Sequence, residues 1–88
     1  MSERRVVVGA GVGLHARPAA LLVKAATAQP VPVSIGKDGG EQVDTRSILS
    51  VIGLNARGGD EVVLRAEGPD AERALDELAA IVTAEHGG

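Results

Sequence analysis

The 88-residue chain has no cysteine and no phenylalanine, tyrosine or tryptophan, and each absence removes a class of function. Without cysteine there is no disulfide framework and no thiolate metal site, which suits a reducing cytoplasm. Without aromatic rings nucleic-acid bases have no stacking platform, and the net charge of −3 disfavours binding a phosphate backbone. Apolar runs such as 19–23 are far too short to cross a bilayer. The segment Met1-Ser2-Glu3-Arg4-Arg5 leads into only a few valines and reads as a strand, not a secretory leader. The chain is therefore expected to be a cytoplasmic protein that binds neither nucleic acid nor membrane and holds no metal.

What is present supports one small domain spanning 1–88. The hydrophobic fraction of 44% is enough for a packed core, which must be built from Val, Leu, Ile and Ala. Charge is uneven along the chain. Residues 1–37 contain five Lys/Arg and one Glu, whereas residues 38–88 contain four Arg and eleven Asp/Glu. The basic half either steers acidic partners and phosphate toward a site within it or is simply one of two solvated faces.

Element signals follow one another closely. Arg4–Val8 is rich in β-branched residues and reads as a strand, ended by the glycines of Gly9-Ala10-Gly11-Val12-Gly13. Pro18 suits the first turn of a helix that runs to about Ala28, with Ala19, Leu22, Val23 and Ala26 on one face. Val31–Ile35 alternates as a second strand. Lys37-Asp38-Gly39-Gly40 predicts a hairpin turn into a short third strand, Glu41–Asp44. Ser47 stands where a helix N-cap belongs, ahead of Ile48, Leu49, Val51, Ile52 and Leu54. Glu61–Glu67 is the fourth strand. Asp70 caps a last helix whose apolar stripe is Leu75, Leu78, Ala79 and Val82, and residues 85–88 read as a frayed tail. The order β-α-β-β-α-β-α favours an α+β layer pair, a four-stranded sheet with helices on one face; strand order does not follow from the pattern.

The densest chemistry lies in Gly13-Leu14-His15-Ala16-Arg17-Pro18-Ala19-Ala20. A histidine directly before a helix start faces unpaired N–H donors and the positive end of a dipole. Arg17 adds a charged fork suited to phosphate oxygens, and a phosphate on His15 would meet the backbone N–H groups of Ala16 and Arg17. The dipole and the Arg17 charge both oppose a second proton on the ring, keeping it a neutral nucleophile. With no magnesium cage and no nucleotide loop, no cofactor is expected and the phosphoryl donor must be another protein. A plain capping histidine and a solvated arginine would be the bland alternative.

This octapeptide, with the element order around it, closely resembles the active-site segment of HPr, the histidine-containing phosphocarrier family of the bacterial phosphotransferase system. The resemblance spans essentially the whole chain. It implies an open-faced sandwich, a four-stranded antiparallel sheet with three helices on one face. It implies that His15 is the phosphoacceptor, as a pros-phosphohistidine, and that Arg17 contacts the phosphate. It implies a monomeric carrier, not a stand-alone catalyst, which accepts a phosphoryl group from Enzyme I and passes it to sugar-specific enzyme II A domains. Leu14, Ile48, Leu49 and Ile52 match an apolar docking patch for these partners, with Val51 and Leu54 left to pack inward. Ser47 resembles the serine that an HPr kinase phosphorylates in some members; its plain role is an N-cap. Ser47 follows one additional residue relative to the usual spacing from the histidine, and Arg46 stands beside it. Two further departures are Val12, where a small polar residue is common, and the absence of a phenylalanine that some members have in the patch.

Other readings are weaker. Gly9-Ala10-Gly11 begins like a dinucleotide-binding loop, but the third glycine would have to replace Leu14. A hydrolase using His15 lacks an acid, base or metal cluster nearby. An HPr-like regulator that docks to transcriptional regulators or enzymes without relaying phosphate shares the fold, although relatives of that kind lack the histidine present here.

Overall fold

The structure, a computed structural model, describes residues 1–9, 14 and 16–84. Its elements are β1 (Ser2–Val7), α1 (Ala16–Thr27), β2 (Val33–Lys37), β3 (Val43–Asp44), α2 (Ile48–Gly53), β4 (Glu61–Ala66) and α3 (Ala71–Thr83). The strands form one antiparallel sheet in the order β1-β4-β2-β3. The helices cover one face, so the expected open-faced α+β sandwich is what the chain forms.

Period-two alternation sorts the sheet into an oily and a polar face. Val33 and Ile35 of β2 pair with Ala66 and Leu64 of β4, and all four are buried under the helices. From above, α1 inserts Leu22, α2 inserts Val51, and α3 inserts Leu75 and Leu78, each fully buried. Each such side chain contributes about 1.5–3 kcal/mol by leaving water. Small residues (Ala19, Ala26, Ala74) let the helices approach, and this is how a core without rings fills its volume.

The opposite face is polar. Arg65 pairs with Glu3 at 2.8 Å, and Arg5 with Asp38 at 2.7 Å and Glu61 at 2.9 Å. Val63 also points this way yet is only 4% exposed. Gln42 lies nearby, donating to the Val63 carbonyl at 3.3 Å and accepting from Ser34 Oγ at 2.7 Å. Such exposed ion pairs are each worth about 0–1 kcal/mol.

Several boundaries differ from the sequence expectation. β1 is paired from Ser2, because Ser2, Arg4 and Val6 face the helices while Glu3, Arg5 and Val7 face outward. Val8 lies beyond the strand and is buried. β2 begins at Val33, since Pro32 has no N–H for the ladder. β3 shrinks to two residues, joined to β2 by a five-residue connection, 38–42, that holds the expected turn. Gly40 N–H donates to the Lys37 carbonyl at 2.8 Å, and within that turn Gly39 alone takes a positive φ, 77°. The returning chain crosses so close to Gly36 that a Cβ there would lie 2.5 Å from the Glu41 carbonyl oxygen. Asp70 occupies the N-cap position of α3 but makes no side-chain cap bond. Its ψ of 10° departs from the extended conformation that points a capping oxygen at the first turn.

Candidate functional site

The site is built where α1 begins. Ala16 and Arg17 open that helix and are exposed, while Pro18 and Ala19 behind them are buried. Buried Pro18 fixes φ and tolerates the first turn, where its missing N–H has no intrahelical partner to lose. The N–H groups of Ala16 and Arg17 stand in the first turn, which lacks intrahelical acceptors, at the positive end of the dipole. His15 and Val12 lie outside the described residues.

Arg17 makes no ion pair among the described residues, in contrast to most of the cationic side chains. Six of the nine Lys/Arg side chains are paired. From the basic first part of the chain, Arg4 reaches Asp76 at 2.6 Å and Glu72 at 3.2 Å, while Lys37 lies 3.7 Å from Asp60. The hydrogen bond to Asp76 is the main reason the Arg4 guanidinium is pushed up from its ordinary value. The uneven charge of the sequence is thus largely cancelled by folding. Among the described residues Arg17, Lys24 and Arg57 are the Lys/Arg side chains without an ion-pair partner.

α2 packs against α1 and β3. Ser47 caps it as expected, in an extended conformation with Oγ accepting from the Ser50 N–H at 3.3 Å. Arg46 is turned toward Asp44, with Nε at 3.1 Å and a terminal nitrogen at 3.0 Å from the carboxylate. These bonds hold the Asp44 carboxyl below its ordinary range, the side-chain bond from Arg46 acting most strongly. Val51 is buried and Leu54 partly so, while Leu49 is 81% exposed, Ile52 40% and Ile48 37%. The six-residue helix contains no charged side chain, so its outer surface is apolar.

Leu14 requires a correction. Expected in the exposed patch, it is 2% exposed and belongs to the core with Leu22 and Val51. Its position just before α1 directs an aliphatic side chain inward, where burial is favoured. Conversely, Leu21 is 44% exposed and escaped the sequence reading. It shares a helix face with Arg17, Ala20 and Lys24 at i, i+3, i+4 and i+7 spacing, and all four are exposed. That spacing was the available signal.

The loop between α2 and β4 was also missed, and it ties the site together. Leu14 N–H donates to the Ala56 carbonyl at 2.9 Å, Val8 N–H to Asp60 at 2.8 Å, and Gly59 N–H to Val8 at 2.9 Å. Asp60 accepts from the Arg57 N–H at 2.9 Å, the main reason its carboxyl is held below the ordinary value, with Lys37 adding to it. A lowered carboxyl supports the fold above its ordinary value of 3.8, and that support fades as pH falls through the depressed one. Asp60→Asn should therefore lower stability slightly at neutral pH and flatten the acid limb of a stability–pH curve, the two proteins converging in acid. Chemical denaturation between pH 2 and 7 checks this; an unchanged acid limb refutes it.

Residues 2–84 match the family model described as the PTS HPr component phosphorylation site. The chain belongs to the HPr family. It is 54% identical over 82 residues to the phosphocarrier protein HPr of Streptomyces coelicolor, covering 93% of this chain and 88% of that one. The structure of HPr from Bacillus anthracis superposes with a TM-score of 0.86 at 40% identity, covering 93% and 96% of the two chains. Crh of Bacillus subtilis, a catabolite-repression protein described as a dimer with a swapped domain, superposes at 0.69 with 42% identity and 93% coverage of each. The HPr fold and the phosphocarrier family expected from the octapeptide are thereby established. Among the described residues no helix is long and apolar enough to cross a membrane, and no group of three metal-ligating side chains occurs.

Proposed function

We propose that this HPr-family chain is a monomeric cytoplasmic phosphocarrier of the sugar phosphotransferase system. His15 accepts a phosphoryl group from Enzyme I and surrenders it to enzyme II A domains. A lone pair of the neutral ring forms a new N–P bond as the donor's bond to phosphorus breaks, and the reverse exchange delivers the group onward. Arg17 supports this reading most. It is an exposed arginine without an ion-pair partner among the described residues, two positions from the histidine, beside N–H groups that no helical carbonyl satisfies. Two amides and one exposed guanidinium, each worth about 0.5–2 kcal/mol, hold phosphate loosely enough to give it up.

Incubation with Enzyme I and phosphoenolpyruvate tests the proposal. One acid-labile, base-stable phosphoryl group should appear and pass to an A domain. No labelling under conditions that label a known HPr would refute it. That result would favour the second reading, a regulator that docks without relay, which the likeness to Crh supports. Ser47 is then a candidate for regulatory phosphorylation by an HPr kinase, since about −2 charge at this cap would lie beside the apolar α2 surface.

Ile48, Leu49 and Ile52 form the proposed docking patch, and Leu49 is its cleanest probe. At 81% exposure it contributes little to the core. Leu49→Asp should shift stability by no more than about 0.5 kcal/mol while slowing transfer at least tenfold at limiting concentration, the loss of a hot spot worth about 2 kcal/mol. A thermal melt beside transfer kinetics separates the two. Normal transfer would remove Leu49 from the patch.

A further inference from the structure

We infer that Leu14 is a positioning residue for the phosphoacceptor, an inference that rests on His15 having that role. Three observations converge on it. The Leu14 side chain is 2% exposed and lies in the buried cluster with Leu22 and Val51. Its N–H donates to the Ala56 carbonyl at 2.9 Å, tying it to the loop after α2. Ala16, two residues on, opens α1, whose first turn is seated by buried Pro18 and Ala19.

Consecutive Cα atoms are about 3.8 Å apart, so residue 15 is joined on both sides to a fixed neighbour. One anchor is the first turn of a helix. The other is a core side chain together with a backbone bond across to a second segment. Leu14 thus acts through its neighbour without touching phosphate. Shortening the side chain would loosen one anchor, and a misplacement of about 1 Å at a reacting group costs up to about 100-fold in rate.

The test compares Leu14→Ala, Leu14→Met and Leu75→Ala. Leu75 is fully buried on α3 and serves as a purely structural truncation. Thermal melts establish a temperature at which all three are folded, and transfer from Enzyme I and the proton-NMR titration of His15 are then measured there. His86 is distinguished by its persistence in His15→Ala. Leu14→Ala should lose about 10- to 100-fold in transfer and displace the His15 titration curve. Leu75→Ala should keep both, and Leu14→Met, nearly equal in volume, should restore both. Should Leu14→Ala fail to fold, Leu14→Val takes its place. Wild-type transfer and titration in the truncated variant, or an equal loss in Leu75→Ala, would overturn the inference. If the unaltered protein takes no phosphate at all, the carrier proposal fails, and the titration alone still decides whether Leu14 orients the ring.

Discussion

His15→Ala is expected to reduce phosphoryl acceptance from Enzyme I to background while leaving the fold intact. The expectation is severe because the chain offers no substitute. The only other histidine is His86, which the sequence does not place before a helix start or beside an Arg-Pro pair. Serine and threonine hydroxyls are poor nucleophiles without a general base, and Ser47 Oγ is engaged at the cap of α2. Removing an imidazole at a helix entrance costs or gains about 1 kcal/mol at most, so the loss of label is readable as chemistry and not as unfolding. Radiolabelled phosphoenolpyruvate with Enzyme I gives the measurement, with circular dichroism as the check on fold. Residual acid-labile label on the variant would place the acceptor elsewhere and undo the proposal.

Gly9→Ala is expected to have a large effect on stability. Gly9 follows β1 where the chain passes the end of α3, and its N–H donates to the Val82 carbonyl at 2.9 Å. A Cβ at this position would land on the carbonyl oxygen of Ala84, and would sit 2.9 Å from that of Thr83. Both obstacles are backbone, so no side chain can swing away to relieve the clash. Either the strand exit or the last turn of α3 must move. Overpacking of this kind costs about 1–3 kcal/mol, and a domain of this size loses about 4–8 °C of melting temperature per kcal/mol. Thermal denaturation should show the drop, and a melting curve unchanged within error would mean that the close approach relaxes freely. Since Val8 and Gly59 are bonded beside this joint, transfer activity should fall with stability and recover on cooling.

The sequence is legible in this protein where local chemistry determines the outcome. Ser47 announced its helix because an N-cap is a local bond, and the alternation of Val62, Leu64 and Ala66 was enough to mark the buried side of β4. The octapeptide placed Arg17 at an exposed helix opening, where the structure has it. Long-range features were hidden. Nothing in the alternation shows that β4 inserts between β1 and β2, because strand order depends on crossovers. The turn at Asp38-Gly39 forms as expected, but the close crossing of Glu41 over Gly36 is not visible in the local pattern. The neighbours of Leu14 point to an outward side chain, whereas its N–H is bonded to Ala56, 42 residues away in the chain, and its side chain lies in the core. Arg4, Arg5 and Lys37 looked like part of a basic half, but each finds a carboxylate from a distant element.

The strand order has a consequence for how the molecule behaves in crowded solution. The sheet ends on one side with β3, only two residues long, and on the other with β1, whose first four residues are Ser2-Glu3-Arg4-Arg5. A foreign strand seeking backbone partners meets a stub at one margin and both signs of charge at the other, conditions that discourage fibrillar growth. The unpaired β margins of this HPr-family chain are thus unattractive to the edges of other sheets.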